Sequence, residues 1–194
     1  KQQRIEEEAD IYGAFIAYLA GYKDLSFIPQ VLDKLYKAYT IEEDLEDYPS
    51  LNERKQLAKK VLTKLEELVI VYESSNYFMA LGWHIQAVYG YSHILKFVRT
   101  KELYNNLGTT LLAIAIQQRT ANAYWYPIEL DMDHALRTWA LKTEEELLDL
   151  SRESLLRAID LDSSYASAWV NLTAVYDLLD VGEKAKYSLK QADL

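Results

Sequence analysis

The sequence predicts an all-α fold, and three observations carry that prediction. Only six glycines and three prolines occur in 194 residues, too few to punctuate the many turns of a β-protein. The sixteen tyrosines and four tryptophans recur at steps of three and four rather than in alternation, which marks helix faces. Ser50 with Glu53, and Thr143 with Glu146, have the spacing of capping boxes at helix starts.

The elements follow in order. Ile5, Ala9, Tyr12, Ile16 and Leu19 form an amphipathic helix ending near Gly21. Ser26 and Pro29 open a second helix carrying Val31, Leu32, Leu35, Ala38 and Tyr39, so residues 1–41 read as a helical hairpin. The acidic stretch Glu42 to Asp47, closed by Tyr48 and Pro49, reads as a solvated connector rather than a cation site. Ser50 caps a third helix running to about Tyr72. Residues 76–99 and 102–124 follow as two long helices, rich in Ala, Leu, Ile and aromatics, that occupy the centre of the molecule. A short helix is expected over 131–141, a capped one over 144–161, and two more near 165–179 and 182–192. The chain thus reads as one domain of eight or nine helices: N-terminal helices over 1–75, a divergent long pair over 76–130, and a repeat-like part over 131–194.

Charge narrows the partners. Thirty acidic against 21 basic side chains give −9, which disfavours a nucleic acid or an anionic membrane as the main partner. Residues 51–100 alone are basic, with seven cations against four carboxylates. Arg54, Lys55, Lys59, Lys60 and Lys64 on the third helix read either as a solvated face paired with Glu66, Glu67 or the acidic connector, or as a site for an anionic partner. Without cysteine there is no disulfide, thiolate nucleophile or Cys-based zinc site. The longest apolar runs, Leu68 to Tyr72 and Leu111 to Ile116, fall far short of the ~20 residues that span a bilayer. A soluble protein is expected, in the cytoplasm or, after loss of a leader, outside it; a start at Lys1 leaves the compartment open.

A repeat stands out at the C-terminal end. Trp169, Leu172 and Tyr176 have Trp-x2-Leu-x3-Tyr spacing, followed by Ala185, Leu189 and Ala192. Ser151, Leu155 and Ala158 precede those last three by 34 residues each, and Ala158 to Ser163 resembles a closing turn. These residues resemble the tetratricopeptide repeat, with Thr173 where the family usually has Gly and Ser163 where a proline is common. Tyr104, Leu107, Gly108 and Leu111 resemble another first helix, and Phe78, Leu81, Gly82 and Ile85 a third, although these two starts are too close for successive standard repeats. Leu136, Trp139 and Ala140 fit only after a shift of one residue. Small side chains at Thr173, Ala185 and Ala192 would let helix axes approach, with Trp169, Leu172, Tyr176 and Leu189 filling the space between.

The resemblance implies antiparallel hairpins stacked as a right-handed superhelix, with first helices lining a concave groove for a peptide or partner protein. Carried over residue by residue, it implies groove positions at Ser167, Val170, Asn171, Ala174 and Asp177, and by the looser match at Glu102, Asn105, Asn106 and Thr109. Asn171 and Asn106 hold the Asn of an Asn-Leu pair that in some relatives contacts the ligand, and an amide can both donate and accept. No cations suited to a carboxylate clamp fall on that groove.

Other constellations give weaker signals. Tyr124, Trp125 and Tyr126 before Pro127 read either as a plug at the end of the long helices or as aromatic contacts for a ligand. Trp83 and Trp139 read as core. Asp131, Asp133 and His134 fit a helix cap better than a metal site, and His84 and His93, nine apart, lack the spacing of a helical metal pair. Asp160, Asp162 and Ser164 begin like a calcium loop but lack its central Gly and closing Glu. Glu6 to Glu8 and Glu144 to Glu146 read as first turns favoured by the helix dipole. No phosphate loop, nucleophile elbow or zinc-protease helix occurs, so neither catalysis nor a cofactor nor a metal is expected. The expected function is a non-catalytic scaffold module that binds a protein or peptide. The alternatives are a helical small-molecule carrier with an aromatic-lined pocket, such as an exported lipoprotein component, and a homo-oligomeric assembly subunit.

Overall fold

The computed structural model describes residues 2–39, 50–121 and 142–192. Every regular element among them is helical: α1 (Gln2–Leu19), α2 (Ile28–Ala38), α3 (Leu51–Ala80), α4 (His84–Ile94), α5 (Lys101–Ala121), α6 (Glu144–Leu161), α7 (Ala166–Leu178) and α8 (Gly182–Ala192). The chain divides into two compact units, Lys1–Ile70 and Val71–Leu194. None of the described helices is long and apolar enough to cross a membrane.

Helix ends follow local chemistry. Ser50 N–H donates to Glu53 Oε2 at 2.8 Å while Glu53 N–H donates to Ser50 Oγ at 3.3 Å, closing the expected box at the start of α3. Thr143 and Glu146 do the same for α6, where Glu144 to Glu146 form the acidic first turn. In both boxes the backbone N–H holds the glutamate carboxyl below its ordinary value. Glu6 to Glu8, by contrast, lie beyond the first turn of α1.

The boundary between α3 and α4 differs from expectation. Helix α3 continues past Tyr72 to Ala80, because nothing from Glu73 onward breaks it until Gly82. Gly82 takes φ +78° while Trp83 N–H reaches back to the Phe78 carbonyl at 2.8 Å, a left-handed helix stop that suits glycine. The segment expected over 76–99 is therefore split, and Phe78, Leu81, Gly82 and Ile85 do not belong to one helix. Trp83 sits in this stop, 54% exposed and stacked on Phe78 at 5.8 Å, so it is not a core residue.

In the first unit the basic face of α3 is largely spent within the chain. Arg54 bonds Glu6 at 3.1 Å and Asp10 at 3.2 Å on α1, Lys55 pairs with Asp33 on α2, and Lys64 pairs with Glu67 at 2.9 Å. Only the last of these partners is one that the spacing along the helix anticipates.

The second unit has one continuous core. Leu111 and Ala115 of α5, Leu147, Leu155 and Ala158 of α6, and Ala168, Leu172 and Val175 of α7 are all essentially inaccessible, with Ala185 of α8 beside them. Helix α5 packs on α4, α6 and α7, and α7 packs in turn on α6 and α8. The α5–α6 crossing is close because Gly108 lacks a side chain. A Cβ there would lie 2.7 Å from Leu155 Cγ and 3.2 Å from the Ser151 carbonyl. Ser151 Oγ donates to the Gly108 carbonyl at 2.7 Å inside this contact.

The α7–α8 pair repeats the logic with a difference. Ala185 and Ser188 are the buried residues of α8, three apart on one face. Leu189, 100° further round the helix, is 51% exposed and does not fill the space between helices as expected. Trp169 supplies cover instead, edge-on to Tyr187 at 6.1 Å with its indole N–H on the Ser163 carbonyl at 2.8 Å.

Gly108→Ala is expected to destabilise the protein by about 1–3 kcal/mol through overpacking against Leu155. Denaturant unfolding checks this, and an unchanged midpoint would show that α5 and α6 can separate without loss.

Candidate functional site

The site grows from a latch that joins the start of α5 to the start of α7. Asp162 closes the α6–α7 turn, accepting the Ser164 N–H at 2.9 Å and its hydroxyl at 2.6 Å. Lys101, first residue of α5, donates to the same carboxylate at 2.5 Å and lies 5.0 Å over the Tyr165 ring. The Lys101 hydrogen bond, with those of Ser164, draws the Asp162 carboxyl down to about 2. Of the residues that begin like a calcium loop, Asp162 and Ser164 thus serve as a turn and a helix tie.

One turn further along, the polar faces of α5 and α7 meet. Asn171 spends both hydrogens of its amide on α5, donating to Asn105 Oδ1 and to Thr109 Oγ1, each at 2.9 Å. Thr109 in turn donates to the Asn105 carbonyl at 2.8 Å. Helix α3 and α4 add a second wall, since Tyr91 OH donates to Asn76 Oδ1 at 2.6 Å. Asn106 hydrogen-bonds the same phenol, and Thr110 bonds the Asn106 carbonyl at 2.6 Å while lying 3.5 Å from Met79 Sδ.

Between these walls lies a cavity of about 250 Å³, lined by Asn76, Met79, Tyr91, Asn105, Asn106, Thr109 and Asn171. It holds four carboxamides, a hydroxyl, a phenol and a thioether, and no charged side chain. Burial pushes the Tyr91 phenol up, with the neighbouring Tyr72 adding to the effect and the Asn106 bond opposing it, so the ring stays neutral across the physiological range. Such a set can bind and orient a polar group.

Of the expected groove residues, Asn105, Asn106, Thr109 and Asn171 come together at this cavity. Ser167, Val170 and Asp177 are exposed on the same face of α7, and Ala174 is half-buried. Glu102 lies a turn before the cavity, beside Tyr165. Asn76, Met79 and Tyr91 were not anticipated, because they come from the misplaced α3–α4 boundary. A buried Tyr beside a helix-borne Asn was the available signal, since a buried phenol needs a hydrogen-bond partner. Tyr124, Trp125, Tyr126, Asp131, Asp133, His134, Trp139, the acidic connector and the 131–141 helix lie outside the described residues. His84 Nδ1 lies 3.1 Å from Gln117 Oε1, and His93 packs on Phe97 at 5.4 Å.

A second cavity, of about 270 Å³, belongs to the first unit. Ala9, Gly13, Ala14 and Ala17 form its floor on α1, with Leu25, Ile28, Leu32, Ala58 and Val61 around it and the Asp10–Arg54 pair on its edge.

Comparison of the chain with protein-family models, with curated proteins and with solved structures finds no match.

The latch predicts an acid dependence. A carboxyl whose folded value is depressed adds stability above its ordinary value of 3.8, and that contribution fades as pH falls toward about 2. Asp162→Asn is therefore expected to be less stable than the parent at pH 5, with the gap closing by pH 2. Unfolding curves across that range check it; a gap constant with pH would assign the loss to the turn rather than to the ion pair.

Proposed function

We propose that this protein is a non-catalytic, tetratricopeptide-like scaffold module that binds a peptide or partner protein on the face built by α5 and α7. The observation that carries the reading is the bonding of Asn171 to Asn105 and Thr109 across 66 and 62 residues of sequence. The repeat pattern assigns all three to groove positions, and their side chains share one cavity with Asn106. Two further features support it. Ser154 and Ser188, 34 residues apart, are both buried on their helices, and Gly108, at the repeat's small position, allows the close crossing of α5 on α6. Amides, hydroxyls and a neutral phenol hold a ligand without exchanging protons near neutrality, which suits recognition rather than acid–base chemistry.

The test is capture of partners by the immobilised chain, read by mass spectrometry against the triple variant Asn106→Ala, Asn171→Ala and Asp177→Ala. Loss of at least tenfold for one or more partners is expected, with the helical circular dichroism signal retained. Undiminished capture of every partner rejects this face.

The second cavity favours a second reading, a carrier for a small apolar molecule held in the first unit. It exceeds the ~150 Å³ that suffices for a benzene-sized guest, and most of its lining is aliphatic. Gly13 there faces open space. Gly13→Leu would therefore fill the cavity while replacing a poor helix former. On this reading a panel of apolar metabolites raises the melting temperature of the parent and leaves Gly13→Leu unmoved. A parent indifferent to the whole panel excludes the carrier.

A further inference from the structure

The hydrogen-bond inventory of the α5–α7 cavity selects its ligand. Asn171 has both amide hydrogens committed, and its Oδ1 accepts no hydrogen bond among the described residues. Asn76 is the reverse case, with Oδ1 taken by Tyr91 and both Nδ2 hydrogens unspent. Asn105 gives its oxygen to Asn171 and reaches Asn106 Oδ1 only at 3.5 Å, so its amide nitrogen is also largely available. The cavity thus offers N–H donors from Asn76 and Asn105 and a carbonyl acceptor from Asn171.

Resting on the reading of this face as the ligand-binding one, we infer that the cavity receives a primary carboxamide, the side-chain head of a glutamine or asparagine in the bound chain. The ligand carbonyl accepts from Asn76 and Asn105, and the ligand amide N–H donates to Asn171 Oδ1. A carboxylate of the same shape fails on two counts. It has no N–H for the Asn171 carbonyl, against which its own lone pairs would be set, and none of the lining residues is a cation to offset its lost hydration. An ammonium group leaves the unspent donors of Asn76 and Asn105 without an acceptor. The volume of about 250 Å³ accommodates a carboxamide with its methylene stem, and Met79 supplies an apolar contact for that stem.

The experiment compares three capped amino acids that share one backbone: N-acetyl-glutamine N-methylamide, its glutamate counterpart at pH 7, and the norleucine counterpart. Each is titrated into the 15N-labelled chain while the side-chain NH2 signals of Asn76, Asn105 and Asn171 are followed. The glutamine compound is expected to shift those signals with at least tenfold tighter binding than either of the others. Asn76→Ala, which removes exposed donors, is expected to weaken it at least fivefold. Equal or tighter binding of the glutamate compound overturns the carboxamide assignment, as does equal binding of norleucine, which would mean that only the backbone is read. Silence of all three signals overturns it too. Each of these failures is separable from failure of the groove itself, because partner capture by the parent and the triple variant decides that independently.

Discussion

The contact on which the second unit depends is the buried hydrogen bond from Ser151 Oγ to the Gly108 carbonyl, at 2.7 Å. It exists only because α5 and α6 approach closely enough for a serine on one helix to reach the main chain of the other. That approach forbids a side chain at position 108 and seats Leu155 directly over the helix backbone. Once α6 is fixed at this depth, its closing turn brings Asp162 to Lys101, and α7 must start where Tyr165 meets the lysine. Asn105 and Thr109 lie about a quarter-turn round α5 from Gly108, and so they face Asn171 as α7 passes. The polar cavity is thus a consequence of an apolar packing choice one turn away.

The same depth explains why buried serines recur. Ser151 is satisfied by Gly108, and Ser154 returns its hydroxyl to the Leu150 carbonyl of its own helix at 2.9 Å. Ser188, one 34-residue period after Ser154, is still more deeply buried, yet its Oγ has no partner among the described residues. An unpaired buried hydroxyl costs on the order of 1–3 kcal/mol. Side-chain size is therefore what Ser154 and Ser188 have in common, and the hydrogen bond is a local accommodation rather than the cause. Leu189 next to it is free to turn outward because the close approach is made by the small residues.

What was legible in the sequence was whatever short-range chemistry fixes. Ser50 with Glu53 and Thr143 with Glu146 marked two helix starts to the residue, because a capping box involves only backbone and side chains three positions apart. Helices α6, α7 and α8 were legible for a related reason, since short turns separate them. The stop at Gly82 was missed although a glycine after an unbroken helical run signals one, because apolar residues on both sides suggested a single long element. That miss moved Trp83 from the surface into the core and hid Asn76, Met79 and Tyr91 from the site. Half of the cavity wall was illegible for a deeper reason, as the meeting of α3 and α4 with α5 is a tertiary fact with no local pattern.

The electrostatics of the two units point the same way. Arg54, Lys55 and Lys64 are bonded to carboxylates within the chain, so the basic character of residues 51–100 is partly internal rather than a field offered to a partner. Exposed pairs of this kind contribute little individually, but they hold cations to fixed partners and reduce the attraction for a diffuse anionic surface. In the second unit the charge pair of Lys101 with Asp162 is consumed by the turn that positions the cavity, and the cavity itself has no charged lining residue. If the cavity binds a ligand as proposed, a neutral recessed site on an acidic protein would discriminate by hydrogen-bond direction rather than by charge. Its selectivity would then fall on groups that differ in donor and acceptor pattern, such as amide against acid, and would survive changes in salt that erase a charge-based preference.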